Sequence, residues 1–127
     1  MQESIHSKIV KKILILEKKY KIFKIFRKII NEAIYHVEIN PNSFTDIESI
    51  KTFRVPHPYN IIIHGRSRIG NNVTIFQNVT IGVIEKNPTP PIICDNVYMG
   101  ANALILGNIK ISSNTKIGGC YCVKNNS

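Results

Sequence analysis

The sequence predicts a mainly β fold, a parallel β-helix of six-residue sides preceded by an α-helical segment, and three observations carry that prediction. Aliphatic residues return at every sixth position through the C-terminal part of the chain. Small or β-branched residues recur four positions after them, and a Lys-rich stretch with helical spacing comes before. A period of six fits neither the 3.6-residue helical period nor a strand alternation closed by a hairpin turn.

Taken in chain order, residues 1–36 come first. Ile5, Ile9, Ile13, Leu16, Tyr20, Phe23, Ile30 and Ile34 recur at intervals of three, four or seven, with Lys8, Lys11, Lys12, Lys18, Lys19, Lys21, Lys24 and Lys28 between them. This is an amphipathic helix, or two helices with a bend. We expect it to pack on the rest of the domain with its Lys face in water; the alternative is an interfacial helix whose Ile and Phe face anionic lipid. Residues 37–54, "VEINPNSFTDIESIKTFR", read as a connector with room for one irregular coil.

Residues 55–127 carry the repeat. Steps of six from Ile63 give Ile63, Ile69, Ile75, Ile81, Asn87, Ile93, Met99, Ile105, Ile111, Ile117 and Val123, with Asn87 the one polar member. Four positions on stand Ser67, Val73, Val79, Val97, Ala103, Ile109 and Thr115, and Gly70, Gly82, Gly100 and Gly118 follow their column residues directly. Each six-residue unit makes one short side of a prism, the column residue points inward, and Gly and Asn near the corners permit backbone angles that other residues avoid. Stacked coils then bury a continuous aliphatic core. Residues 83–91, "VIEKNPTPP", interrupt the column with three prolines that cannot donate to a ladder, so they are expected to leave the coil as an external loop where function concentrates.

Composition narrows the function. One globular domain is expected from 127 residues that are 43% hydrophobic and 20% charged. The formal charge of +9 raises nucleic acid as a partner, but nine of the 17 basic residues crowd into residues 1–36, and stacking and recognition motifs are missing, so no nucleic-acid partner is expected. There is no cleavable leader pattern and no run of 18 apolar residues, which predicts a cytoplasmic protein that does not span a membrane. Cys94, Cys120 and Cys122 are expected to stay as thiols in that reducing compartment, with Cys120 and Cys122 packed rather than metal-bound. His57 and His64 have no third histidine in the repeat, since His6 and His36 belong to the N-terminal segment, and no metal site is expected.

The strings "PHPYNIIIHGRSRIGNNVTIFQNVTIG", "NVYMGANALILGNIKI" and "NTKIGG" resemble the serine O-acetyltransferases of the bacterial hexapeptide-repeat transferases, and their relatives that acetylate surface-polysaccharide sugars, over about residues 55–119. The resemblance implies a left-handed parallel β-helix, usually a homotrimer, with acetyl-CoA as co-substrate in a groove between subunits. It implies His57 as catalytic general base toward a small-molecule acceptor, the hydroxyl of L-serine or of a sugar. It also implies Gly82 near the oxyanion, and Ala101, Lys116 and Gly119 along the CoA groove, with Lys116 toward phosphate. The chemistry suits an imidazole of ordinary pKa near 6.5, because an alcohol is a weak nucleophile at neutral pH. From the residues alone His57 also reads as a core histidine in phase with the column, and Lys116 as a solvated corner residue. Two features depart from the serine enzymes: Pro56 stands where they place an aspartate and Pro90 where they place a second histidine. Family members also continue past the last coil with a covering tail, so either the trimer or the N-terminal helix is expected to cover the end after "CVKNNS", or this is a degenerate or shortened member with weak activity. The rival reading is a non-catalytic β-helix that serves as a binding module.

Overall fold

The computed structural model describes residues 3–125. Ser4 starts α1 (Ile5–Lys19) by accepting a hydrogen bond from the Ser7 N–H at 3.1 Å, and Lys18 and Lys19 close it against the negative end of the helix dipole. A 3₁₀ turn (Lys21–Phe23), a single α turn α2 (Lys24–Phe26) and a π-helix (Arg27–Ile34) follow. His36 ends that run with φ +56°, the left-handed stop common after helices.

The chain then winds in coils. On side A, β1 (Val37–Glu38), β2 (Ile61–Ile63), β5 (Thr80–Gly82), β8 (Leu104–Leu106) and β11 (Cys122–Lys124) pair in parallel in that order. Side B holds β3 (Arg68–Ile69), β6 (Ile92–Ile93) and β9 (Lys110–Ile111); side C holds β4 (Thr74–Ile75), β7 (Tyr98–Met99) and β10 (Lys116–Ile117). Partners are 18 residues apart where the coil is regular, as in Ile81 over Ile63 and Ile111 over Ile93. The coil containing residues 83–91 is longer by six, so Leu104 pairs with Thr80. Residues 37–54 make an irregular turn of the same winding: β1 pairs with β2, Phe44 bridges to Ile69 and Arg54 to Thr74, all in parallel, with α3 (Ile47–Thr52) inserted between the two bridges.

The aliphatic column is the core. Ile63, Ile69, Ile75, Ile81, Ile93, Met99, Ile105, Ile111 and Ile117 are all buried, as are Ser67, Val73, Val79, Val97 and Ala103 beside them. Phe44 and Phe53, edge to face with centroids 5.1 Å apart, close the column toward α1, and Val10, Leu14 and Ile50 pack over them. Asp46 caps α3 by accepting from the Ser49 backbone N–H at 2.8 Å, and that bond holds its carboxyl below the usual range.

The corners divide their labour differently from the sequence expectation. Asn60, Asn72, Asn78, Asn96, Asn102 and Asn114 take φ between +56° and +68°, with Cys120 in the same role at +61°. Asparagine tolerates this region because its short side chain bonds locally. The glycines that follow the column have ordinary φ, and two of them serve close stacking instead: a Cβ on Gly70 would fall 2.3 Å from Asp95 Oδ1, and one on Gly100 2.6 Å from Gly119 N. Cys120 and Cys122 are exposed free thiols rather than packing residues, because one holds a corner and the other the outer face of β11.

The N-terminal segment also differs from its expected facing. α1 buries Ser7, Val10, Lys11, Ile13, Leu14 and Glu17, whereas Ile5, Ile9, Tyr20 and Ile34, placed on the packing face by spacing, are exposed. The charged residues go inward because partners await them: Lys11 binds Glu3 and donates to the Lys51 carbonyl at 3.0 Å, and Arg27 is held by Glu17 at 2.9 Å and by Glu32.

Gly100 and Gly118 follow the column in the same way in sequence, yet nothing lies within 4 Å of a Cβ on Gly118. Gly100→Ala is therefore expected to destabilise by about 1–3 kcal/mol and Gly118→Ala to be neutral. Equal denaturation midpoints for the two variants would refute this account of the glycines.

Candidate active site along one corner of the prism

Each coil passes from side C to side A through a short corner, and these corners stack. The uppermost, between Arg54 and β2, contains His57; the next contains Phe76, Gln77 and Asn78; below it come Gly100, Ala101 and Asn102, then Gly118, Gly119 and Cys120. Backbone bonds tie them in register: Asn78 N–H to Tyr59 carbonyl at 3.1 Å, Asn102 N–H to Gln77 carbonyl at 3.1 Å, and Cys120 N–H to Ala101 carbonyl at 2.8 Å.

His57 is exposed, although it is in phase with the column, because Pro58 takes the buried place beside it. Its ring starts a file of side chains running down the corner and side C: His57 to Phe76 at 6.1 Å between centroids, Phe76 to Tyr98 at 5.3 Å, and Lys116 Nζ 5.1 Å from the Tyr98 ring centroid. Tyr98 and Lys116 are ladder partners in β7 and β10, so the file follows the prism axis over roughly 14 Å, three strand spacings of about 4.8 Å. The cation over the ring face is a favourable contact.

Four of the five residues singled out in the sequence thus lie along one edge: His57, Ala101 and Gly119 in the stacked corners, Lys116 just before them. Gly82 does not join them. It ends β5 opposite Leu106 and belongs to the corner between sides A and B, where His64 and residues 83–91 also lie. There the His64 N–H donates to the Ile81 carbonyl at 2.8 Å, and Arg66 Nη2 donates to the Pro88 carbonyl at 3.2 Å, which ties the long loop to the coil above. Side A separates the two corners. Among the described residues no group of three His, Cys, Asp or Glu converges to hold a metal ion.

Two features were not legible in the sequence. Gln77 Oε1 is buried without a hydrogen-bond partner among the described residues, in the corner below His57. A cavity of about 380 Å³ opens beside the upper corner, lined by Glu32, His36, Glu38, Asn60 and Ile62. Glu38 reaches it only because β1 pairs with β2 and sets Glu38 against Ile62. Asn60 is anchored there by its N–H bond to the Tyr35 carbonyl at 3.2 Å. The arrangement offers an exposed imidazole, a cationic amine at the far end of an aromatic file, and a cavity with carboxylates on its wall.

Taken together, the stacked parallel coils and their aligned corners define a hexapeptide-repeat β-helix. In sequence the chain is serine O-acetyltransferase-like: it is 42% identical over 84 residues to the serine acetyltransferase of Staphylococcus epidermidis and 40% identical to that of Staphylococcus aureus. The matched stretch is 65% of this chain and 38% of those relatives, so the chain matches them over about two fifths of their length. Among solved structures it is similar to serine acetyltransferase isoform 3 of Entamoeba histolytica in complex with cysteine, with 26% identity and TM-score 0.69 over 96% of this chain and 45% of that one. The Neisseria gonorrhoeae serine acetyltransferase in complex with serine matches with 28% identity and TM-score 0.65 over 95% and 49%. A serine acetyltransferase in complex with CoA matches with 26% identity and TM-score 0.63 over 90% and 45%. No family model matches the chain. The β-helix is left-handed, against the usual right-handed hand of parallel crossovers.

An unpaired buried acceptor costs stability unless something outside the chain uses it. Gln77→Leu, close in size and without the oxygen, is therefore expected to melt at or above the wild-type temperature while weakening ligand binding in the corner. A lower melting temperature would show that the Oε1 atom stabilises the fold instead.

Proposed function

We propose that the protein is an acetyl-CoA-dependent O-acetyltransferase with His57 as general base. The observation that carries this reading is the exposed imidazole at the head of one edge that also carries Ala101, Gly119 and Lys116. His57 takes the proton of an acceptor hydroxyl as its oxygen attacks the acetyl thioester carbonyl. The tetrahedral oxyanion collapses, the C–S bond breaks, and the CoA thiolate recovers the proton from the imidazolium. Lys116 meets a phosphate of CoA as a point charge, and Ala101 and Gly119, lacking bulk, leave the groove open. No metal takes part in this scheme.

The first acceptor is L-serine, supported by the serine acetyltransferase likeness and by Glu38 on the cavity wall, which suits an ammonium group. A sugar hydroxyl is the second reading, favoured by Pro56 and Pro90 where the serine enzymes carry polar recognition groups. The working particle is a homotrimer, in which Gly82 and the 83–91 loop of one protomer meet the His57 corner of the next; the span of side A between them within one chain favours this. A cytoplasmic setting suits the free thiols Cys94, Cys120 and Cys122.

Thiol release from acetyl-CoA, with L-serine and a panel of sugars and sugar nucleotides offered separately, tests the reading. His57→Ala is expected to lower the rate by about 10²-fold or more, and Lys116→Ala to raise KM for acetyl-CoA while leaving kcat close to wild type. Absence of release with every acceptor, together with no CoA binding, would leave a non-catalytic binding module.

A further inference from the structure

The segment from Lys21 to Ile34 is built inside out. Its inward side chains are Arg27 and Asn31, while Ile22 is 78% exposed, Ile25 60%, Phe26 47% and Ile29 53%. These four stand at i, i+3, i+4 and i+7, the spacing of one helix face. A helix that packs on its own domain turns such a face inward; here Glu17 and Glu32 draw Arg27 in, and the apolar stripe is left pointing out. Scattered exposed isoleucines need no explanation, but an aligned face of four marks a surface that something covers.

The charges beside the stripe select the occupant. Lys19, Lys21 and Lys24 have no carboxylate within salt-bridge distance among the described residues. Lys21 and Lys24 also line a cavity of about 220 Å³ with Lys18, Arg27, Asn40 and Asn42; Glu17, on the same wall, is neutralised by Arg27. A second copy docking face to face would bring the same cation-bordered patch of both copies together, since a twofold interface uses one patch twice. Apolar side chains that need a dry phase, bordered by unpaired cations that need anions, match a bilayer of anionic phospholipid.

We propose that this face is a docking surface for an anionic phospholipid bilayer. Ile22, Ile25, Phe26 and Ile29 enter the boundary between headgroups and acyl chains, and a lipid phosphate occupies the Lys21 and Lys24 cavity. The contact is interfacial: no helix among the described residues is long and apolar enough to cross a membrane. It extends the protein beyond its proposed chemistry and does not depend on it.

Cosedimentation of the full chain with equimolar phosphatidylglycerol and phosphatidylcholine vesicles, beside pure phosphatidylcholine vesicles, is the test. Wild type is expected to bind the anionic vesicles at least about tenfold more tightly, with the difference lost at high ionic strength. Ile25→Ser with Phe26→Ser is expected to lose at least about tenfold in affinity for them, and so is Lys21→Glu with Lys24→Glu. The altered side chains are exposed, so thermal melts should match wild type; should the Ser pair fail to fold, the Glu pair carries the test. No wild-type binding to anionic vesicles, or undiminished binding by the variants, overturns the proposal. A smaller particle mass for the Ser pair in sedimentation without vesicles also overturns it, because the face is then covered by a second copy.

Discussion

The buried aliphatic column is the constraint from which the rest of this structure follows. Each coil must return an inward side chain to the same axis, so the chain can lengthen between strands only in ways that restore the phase. The regular coils repeat in 18 residues, and the one long coil repeats in 24, which is one further six-residue unit. Residues 83–91 are accommodated because the excess is a whole unit. Ile93 therefore resumes the column directly above Ile111 with no change of facing.

Stacking in phase is also what assembles an edge out of residues distant in sequence. His57, Gln77, Ala101 and Gly119 belong to four coils, and none is near another along the chain. They share an edge because each corner carries a left-handed residue at the same step, Asn60, Asn78, Asn102 or Cys120, and the backbone bonds from one corner to the next keep that step aligned. Glycine then sets how closely two corners approach, as Gly100 does over Gly119. The positioning of His57 is thus a consequence of core packing at the next residue, with Pro58 buried and the imidazole left outside.

Much of this was legible from the chain itself, for a physical reason: a six-residue period repeats the same environment, so every copy reinforces the reading. Ile63 to Ile117 state the core in nearly every coil, and the Asn of "GNN", "GAN" and "SSN" state the corners. What was not legible lacks repetition. Gly70 and Gly118 look alike in sequence, and only the coil beneath decides that one is crowded and the other open. Glu38 enters a cavity wall through a pairing with Ile62 that spans 24 residues of irregular chain. The facing of the N-terminal segment was misread because helical spacing reports where apolar side chains align and not which side the domain lies on. That side was fixed by Arg27 and Asn31, a buried cation and a buried amide whose partners, Glu17, Glu32 and the Val10 carbonyl, come from elsewhere in the same segment.

That inverted segment is joined to the His57 corner. His6 Nδ1 lies 2.8 Å from the Tyr35 hydroxyl, and the Tyr35 and Tyr59 rings pack at 5.8 Å. The Tyr35 carbonyl also holds Asn60 in its left-handed corner. Tyr59 in turn fixes the corner below through the Asn78 N–H. One end of the π-helix therefore bounds the cavity with Glu32 and His36, while the turns before it present Ile22, Ile25 and Phe26 outward. The outward face and the cavity wall belong to one stretch of chain, because Arg27 ties Glu32 to Glu17 of α1 across the same few residues. The basic N-terminal third is in this sense part of the site's frame: its charges hold the segment together from inside, and its apolar residues are free to meet something outside.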